Sequence, residues 1–359
     1  MAKSNVLNNV LIALLCALVC SCSTIHITED NFLRDKQQEV LYHLVTHERS
    51  SIAKLANSAS YSQSQLTATL KKLVEQGLVH SEDDLWSVTE KYKTQQSERF
   101  NEISKFDLMK LQSQLTSHQL NITSLQESNV QVASLLTHSA NESLLIFPGN
   151  GFHLAPDLNE LIKLLSPKRN LFVIEYPGMG NNNGPLTVES LKKAANEFYL
   201  FVAGHPSTQN TTLNVYGFSL GGFVASEVAA SHPVDSLILD STAPDIQSWI
   251  DANVPTYAKL MVNVQASPAL KAISNTRSIE NLTCPILFIS GSDDQVTPPQ
   301  LMKTIYQSAT HASYKKLVLL QGADHGDSLD HTQFSPTIEA FFNHVTKIKT
   351  SGMTKRALR

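Results

Sequence analysis

The chain has 359 residues, with 28 Lys and Arg against 32 Asp and Glu, a formal charge of −4 and 42% hydrophobic residues. That length holds one large domain and a small one, and the mildly acidic balance gives no electrostatic reason to seek nucleic acid. Cysteines stand only at 16, 20, 22 and 284, too few to build a disulfide framework. The thirteen histidines are scattered without metal-ligand spacing, so neither a metal nor another cofactor is expected.

Lys3 gives a weakly basic start, and residues 10–19 form an apolar stretch. It is too short for a membrane span and right for a secretory h-region. It ends in Val19-Cys20-Ser21-Cys22, which resembles a bacterial lipobox: an aliphatic residue three before Cys22 and a small one directly before it. Cys20 in the middle departs from the motif, and Cys20 as the acceptor fits less well because Val19 precedes it. A plain signal peptide or an uncleaved anchor is the other reading. The resemblance implies loss of residues 1–21 and lipidation of Cys22. Ser23, in place of the aspartate that marks inner-membrane retention, implies the outer membrane of a Gram-negative cell envelope. Residues 22–35 are then expected to be a linker.

Residues 36–95 carry three apolar stripes at helical spacing: Val40, Leu41, Leu44, Val45; Ile52, Leu55, Ala56, Ala59; and Leu66, Leu70, Leu73, Val74. Ser62-Gln63-Ser64-Gln65 reads as a capping box opening the third helix. Gly77-Leu78-Val79 and Leu85-Trp86-Ser87-Val88-Thr89 read as two short strands. The pattern resembles a winged helix-turn-helix of the MarR type. Seven basic and seven acidic residues make the segment neutral, whereas a DNA-binding face is basic. It is expected to be a protein-contact or lid-supporting module that does not bind DNA. Residues 96–118, with Phe106, Leu108, Leu111 and Leu115, read as a connecting helix.

Beyond residue 119 apolar strands alternate with helical patterns. Leu144-Leu145-Ile146-Phe147 runs into Pro148-Gly149-Asn150-Gly151, and Val173-Ile174 into Glu175-Tyr176-Pro177-Gly178-Met179-Gly180. Leu213 to Tyr216 leads into Gly217-Phe218-Ser219-Leu220-Gly221, and a small, apolar helix follows. The pattern G-x-S-x-G puts its serine on a strained strand-to-helix turn. Residues 236–239 form a strand ending at Asp240, and residues 242–283, with Trp249, Ile250 and Tyr257, are expected to form a small lid. Residues 284–290 are another buried strand, followed by Gly291-Ser292-Asp293-Asp294. Residues 316–320 are the last, followed by Gly322-Ala323-Asp324-His325-Gly326-Asp327.

A serine, an aspartate and a histidine thus follow strand ends in that order. Over roughly residues 120–348 the chain resembles the α/β-hydrolase family, in its serine-aminopeptidase-like and esterase branch. The resemblance implies a mostly parallel central sheet with helices on both faces at 119–349, a small winged-helix-like α+β unit ahead of it, and a C-terminal tail at 350–359. It also implies Ser219 as nucleophile, His325 as base and Asp294 as its orienting acid. The backbone N–H groups of Asn150 and Leu220 would form the oxyanion hole. Asp293 is one residue away from the acid position, and Asp240 is where some hydrolases carry the acid, so both stay open. Asp324 and Asp327 read as turn residues. The expected activity is hydrolysis of a small-molecule carboxylic ester, thioester or amide through an acyl-enzyme. The contrasting reading is a non-catalytic lipoprotein holding a partner through both units.

Overall fold

The computed structural model describes residues 24–33, 40, 41, 44, 49–58, 63–92, 103–179, 182, 185–259 and 262–357. The lipobox and Cys22, Val45, Ala59 and the capping-box Ser62 lie outside the described residues. The described chain begins with a strand, β1 (Thr24–Ile27), and a single helical turn, α1 (Glu29–Phe32). β1 pairs in parallel with β11 (Asn263–Ala266), deep in the C-terminal half. Within the expected linker, residues 24–33 are therefore ordered against the fold: alternate residues of a short strand, Ile25 and Ile27, pack against the main core.

The winged-helix unit follows. β2 (Ser50–Ser51), β3 (Val79–Glu82) and β4 (Leu85–Val88) form an antiparallel sheet in the order β2-β4-β3. It packs with α2 (Ile52–Ser58) and α3 (Gln63–Glu75). Leu66, Leu70 and Leu73 of α3 fall on one face at i, i+4 and i+7 and are buried with Val40, Leu41, Leu44, Leu55, Val79, Val88 and Tyr92. Val74, expected on that face, is 46% exposed; one position past Leu73 rotates it about 100° off the stripe. The hairpin turns through Asp83 and Asp84, both at positive φ (52° and 59°), as a two-residue type I′ turn requires.

α4 (Ile103–Gln114) leads into an eight-stranded sheet. Its strands are β5 (Gln119–Ser124), β6 (Gln131–Leu136), β7 (Glu142–Phe147), β8 (Arg169–Ile174), β9 (Thr212–Phe218), β10 (Ser236–Asp240), β12 (Ile286–Gly291) and β13 (Lys315–Leu320). Their order is β13-β12-β10-β9-β7-β8-β6-β5. All pairs are parallel except β5·β6 and β6·β8. Alternation along each strand feeds two cores. Leu145, Phe147, Phe172, Ile174, Leu237 and Leu239 face one side. Leu144, Ile146, Leu171, Val173, Ile238 and Leu287 face the other. Each such side chain contributes about 1.5–3 kcal/mol on burial. The first core is closed by α6 (Val188–Ala203) and α7 (Leu220–Ser231), the second by α5 (Leu154–Leu161) and α13 (Phe334–Ala357). α13 runs on through most of 350–359, so the expected tail is largely helix.

Between β10 and β12 the chain forms α8 (Ile246–Asn253), α9 (Thr256–Lys259), β11, α10 (Pro268–Lys271) and α11 (Asn275–Ile279), the expected lid. α12 (Pro299–Ser308) joins β12 to β13. Strand order reverses at β7 and β9. Open α/β sheets bind ligands at such a switch point, beyond the strands' C-terminal ends.

Candidate active site

Ser219 stands between β9 and α7 with φ 53° and ψ −116°. A non-glycine residue in this region costs on the order of 1–3 kcal/mol and persists only when its surroundings fix it. Here they do. Ser219 N–H donates to Asp240 O at 2.9 Å, and Gly222 N–H donates to Ser219 O at 3.0 Å. Neither flanking glycine tolerates a side chain. A Cβ on Gly221 would lie 1.9 Å from Phe147 O, and one on Gly217 would lie 2.4 Å from Gly221 O. The close approach of helix to strands throws the serine hydroxyl clear of the sheet.

The histidine and aspartate arrive from the next loops along the same sheet edge. Ser219 Oγ lies 3.0 Å from His325 Nε2, and His325 Nδ1 lies 2.9 Å from Asp294 Oδ2. Asp294 is buried, while the His325 ring keeps 19% of its surface exposed. Asp294 Oδ1 accepts the N–H groups of Val296 at 2.8 Å and Thr297 at 2.7 Å. Its Oδ2 also accepts the Thr297 hydroxyl at 2.7 Å. These bonds leave the carboxylate one way to turn, toward the imidazole. Phe218 packs on the other side of His325, with ring centroids 5.2 Å apart. A buried anion held toward Nδ1 favours the tautomer with the proton there, which leaves Nε2 free to accept from Ser219.

The loop after β7 lies against the elbow. A Cβ on Gly149 would stand 2.9 Å from Phe218 Cδ1 and 3.5 Å from Ser219 Cβ. Asn150 follows it, exposed, with its side-chain amide donating to Phe32 O at 3.4 Å. Two residues missed by sequence reasoning hold this loop. Tyr176 OH donates to Pro148 O at 3.0 Å, and Glu175 Oε1 accepts from Leu154 N–H at 2.7 Å. Both are buried, and burial pushes the Tyr176 phenol well above its ordinary range. The strand running into a loop at 173–180 is legible in the sequence, but these bonds are not. Thr297, which also lies 3.2 Å from His325 Nδ1, gave no sequence signal beyond following the aspartate.

The two other aspartates considered for the acid stand elsewhere. Asp293 is exposed and accepts from Ser292 Oγ at 2.7 Å. Asp240 is fully buried and accepts from Tyr216 OH at 2.7 Å, Ser328 Oγ at 2.9 Å and Ser241 Oγ at 3.0 Å. Burial pushes its carboxyl up to about 6, against the pull of those hydroxyls. Its work is to pin β9, β10 and the chain after His325 to one another. Asp324 accepts His325 N–H, and Asp327 accepts Asp324 N–H, each at 2.9 Å, which makes them turn residues. Cys284 on the way into β12 has a thiol pushed up to about 11 by burial.

A family model described as the alpha/beta hydrolase fold matches residues 135–277, and one described as a winged helix DNA-binding domain matches residues 33–91. Protein bem46 of Schizosaccharomyces pombe is 30% identical over 103 residues, which cover 28% of this chain and 33% of that protein. Alpha/beta hydrolase domain-containing protein WAV2 of Arabidopsis thaliana is 30% identical over 105 residues, 26% of this chain and 34% of its own. The matches thus span about a third of these relatives' length. Among solved structures, an esterase of Pyrococcus furiosus superposes with a TM-score of 0.51 at 12% identity, over 66% of this chain and 93% of its own. The acylaminoacyl peptidase of Pyrococcus horikoshii gives 0.51 at 10%, over 67% and 43%. Likeness at such identity speaks to fold alone. The chain carries the α/β-hydrolase fold, with a winged-helix unit ahead of its sheet.

Proposed function

We propose that the protein is a serine hydrolase acting on a small-molecule carboxylic ester, with thioesters and amides as related substrates. The observation that carries the reading is the unbroken relay from Ser219 Oγ to His325 at 3.0 Å and from His325 to buried Asp294 at 2.9 Å. An oxygen lone pair of Ser219 attacks the acyl carbon while its proton passes to His325 Nε2. The carbonyl electrons move onto oxygen, where the N–H groups of Asn150 and Leu220 stabilise them by about 3–4 kcal/mol per donor. Collapse expels the leaving group, which takes the proton from His325. Water repeats the sequence on the acyl-enzyme. Asp294 holds the ring and stabilises its charged form. None of these steps calls on a cofactor. A relay complete to the acid argues against the non-catalytic reading. The test is hydrolysis of p-nitrophenyl esters. Ser219→Ala should lower kcat by about 10³-fold or more at unchanged fold, and equal rates in both proteins would refute the assignment.

We also propose that Cys22 is lipidated and anchors the chain in the cell envelope. The support is Val19-Cys20-Ser21-Cys22 behind an apolar stretch. β1 begins at Thr24, two residue steps of at most about 7 Å from Cys22, so the anchor would keep the folded chain close to the bilayer. Mass spectrometry of the mature N-terminus tests this: an unmodified Cys22, or a start elsewhere, refutes it. Residues 36–95 serve in this reading as a protein-contact or lid-supporting module.

A further inference from the structure

The segment ahead of the winged-helix unit is tied to four parts of the fold: β11, α6, α8 and the loop after β7. β1 lies beside β11 in register from Thr24↔Asn263 to Ile27↔Ala266, and Ser267 N–H extends the ladder to Ile27 O at 2.8 Å. Glu29 Oε1 then accepts Val188 N–H, at the start of α6, at 2.6 Å. Phe32 meets Trp249 of α8 edge to face, with centroids 5.2 Å apart at 78°. Its carbonyl accepts from Asn150 Nδ2 at 3.4 Å.

α8 fixes where that aromatic pair stands. Trp249 and Asn253 are four residues apart and share a helix face. At one end of this face Trp249 meets Phe32. At the other, Asn253 Nδ2 donates to Val296 O at 3.1 Å, in the turn whose Val296 N–H binds Asp294. The same helix face therefore runs from Phe32, whose carbonyl takes the Asn150 amide, to the loop that carries the acid. Phe32 and Trp249 are each half-buried, so each keeps surface that the core does not cover. Asn150, which Phe32 touches, adjoins the glycine packed on Ser219.

We propose that Phe32 and Trp249 form a wall of the substrate site above the 148–150 loop, and that they limit the length of the acyl group it admits. Residues 24–33 are the strap that holds this wall in place. The inference rests on the serine-hydrolase reading and adds a specificity residue drawn from the far N-terminus. An apolar wall selects acyl chains by the surface they can bury, at about fourfold per methylene. Truncating the wall by a benzyl group admits several methylenes.

The test uses the purified full chain and p-nitrophenyl esters from acetate to dodecanoate, with fluorophosphonate labelling as an independent measure of the nucleophile. Phe32→Ala should raise the kcat/KM ratio of dodecanoate over acetate by about tenfold or more. Trp249→Ala should move it the same way. The double variant should gain less than the product of the two, because both residues build one surface. Phe32→Leu keeps the packing of a large apolar side chain and should give a smaller shift of the same sign, which covers the case in which Phe32→Ala does not fold. Folded variants that label as the wild type does and keep its chain-length profile overturn the proposal. A wild type that neither labels nor hydrolyses any ester overturns the hydrolase reading itself, and the wall with it.

Discussion

Replacing Asp294 by Asn separates the acid from its neighbour, and the structure sets the size of the effect. Asp294 Oδ1 accepts two backbone N–H groups at 2.8 and 2.7 Å, while Oδ2 accepts the Thr297 hydroxyl and faces His325 Nδ1 at 2.7 and 2.9 Å. An amide keeps one acceptor oxygen, and the two backbone donors claim it. The NH₂ group then takes the place of Oδ2, where it meets a hydroxyl and an imidazole as a donor. The ring is driven to the tautomer with its proton on Nε2, which points at Ser219 Oγ and can no longer accept. The equivalent change in a serine-protease triad costs about 10⁴-fold in kcat, or about 5 kcal/mol of barrier. Asp293→Asn removes only an exposed carboxylate bonded to Ser292 Oγ, so it should change the rate about twofold at most. The assay is initial-rate hydrolysis of p-nitrophenyl acetate at pH 8, with thermal melts confirming that both variants fold. Equal losses, or the larger loss at Asp293, would refute this assignment of the acid.

Asp240 gives stability a pH dependence of known sign. Its folded carboxyl is raised from 3.8 to about 6, so its favourable contribution is full below the unfolded value and is lost as pH rises through about 6. Linkage over that interval is on the order of 3 kcal/mol. Denaturant titrations from pH 4 to 7 should therefore show Asp240→Asn gaining on the wild type as pH rises; a constant difference would contradict the assignment. Thr297→Val removes a hydroxyl that donates to Asp294 Oδ2 at 2.7 Å and should lower kcat about tenfold, near the worth of a hydrogen bond to a charge. A Thr297→Ser variant that restores the rate would show that the hydroxyl is responsible. The wing tip presents exposed Glu82, Asp83 and Asp84, and α3 offers only Lys71 and Lys72 as cations. Two phosphate contacts give a log–log salt slope of about −1.8 and little binding at physiological salt, so fluorescence anisotropy with the full chain should show no duplex DNA binding at low micromolar protein. Tight, salt-dependent binding would recast the unit.

The hydrolase half was legible because its signals are local. Each strand is a short apolar run, and each loop that carries chemistry is punctuated by glycines, whose need is visible in the 1.9 Å approach at Gly221. Sequence alone left Asp293, Asp294 and Asp240 open because adjacent carboxylates differ only in the direction each faces. The bonds from Val296 and Thr297 fix that direction. β1 could not be seen as a strand because its partner, Asn263–Ala266, lies far along the chain between β10 and β12, so nothing near Thr24 in sequence calls for it. Glu175 and Tyr176 escaped for a similar reason: their partners, Leu154 N–H and Pro148 O, are main-chain groups, and a backbone group leaves no mark in the sequence.

The central claim is that Ser219 is a nucleophile activated by His325. Incubation of the full chain with a fluorophosphonate, followed by digestion and peptide mass spectrometry, tests it most directly. The account predicts one covalent adduct, on Ser219, formed at a rate that falls steeply in His325→Ala and absent from Ser219→Ala. An adduct on another serine, or labelling of Ser219→Ala at the wild-type rate, would contradict it.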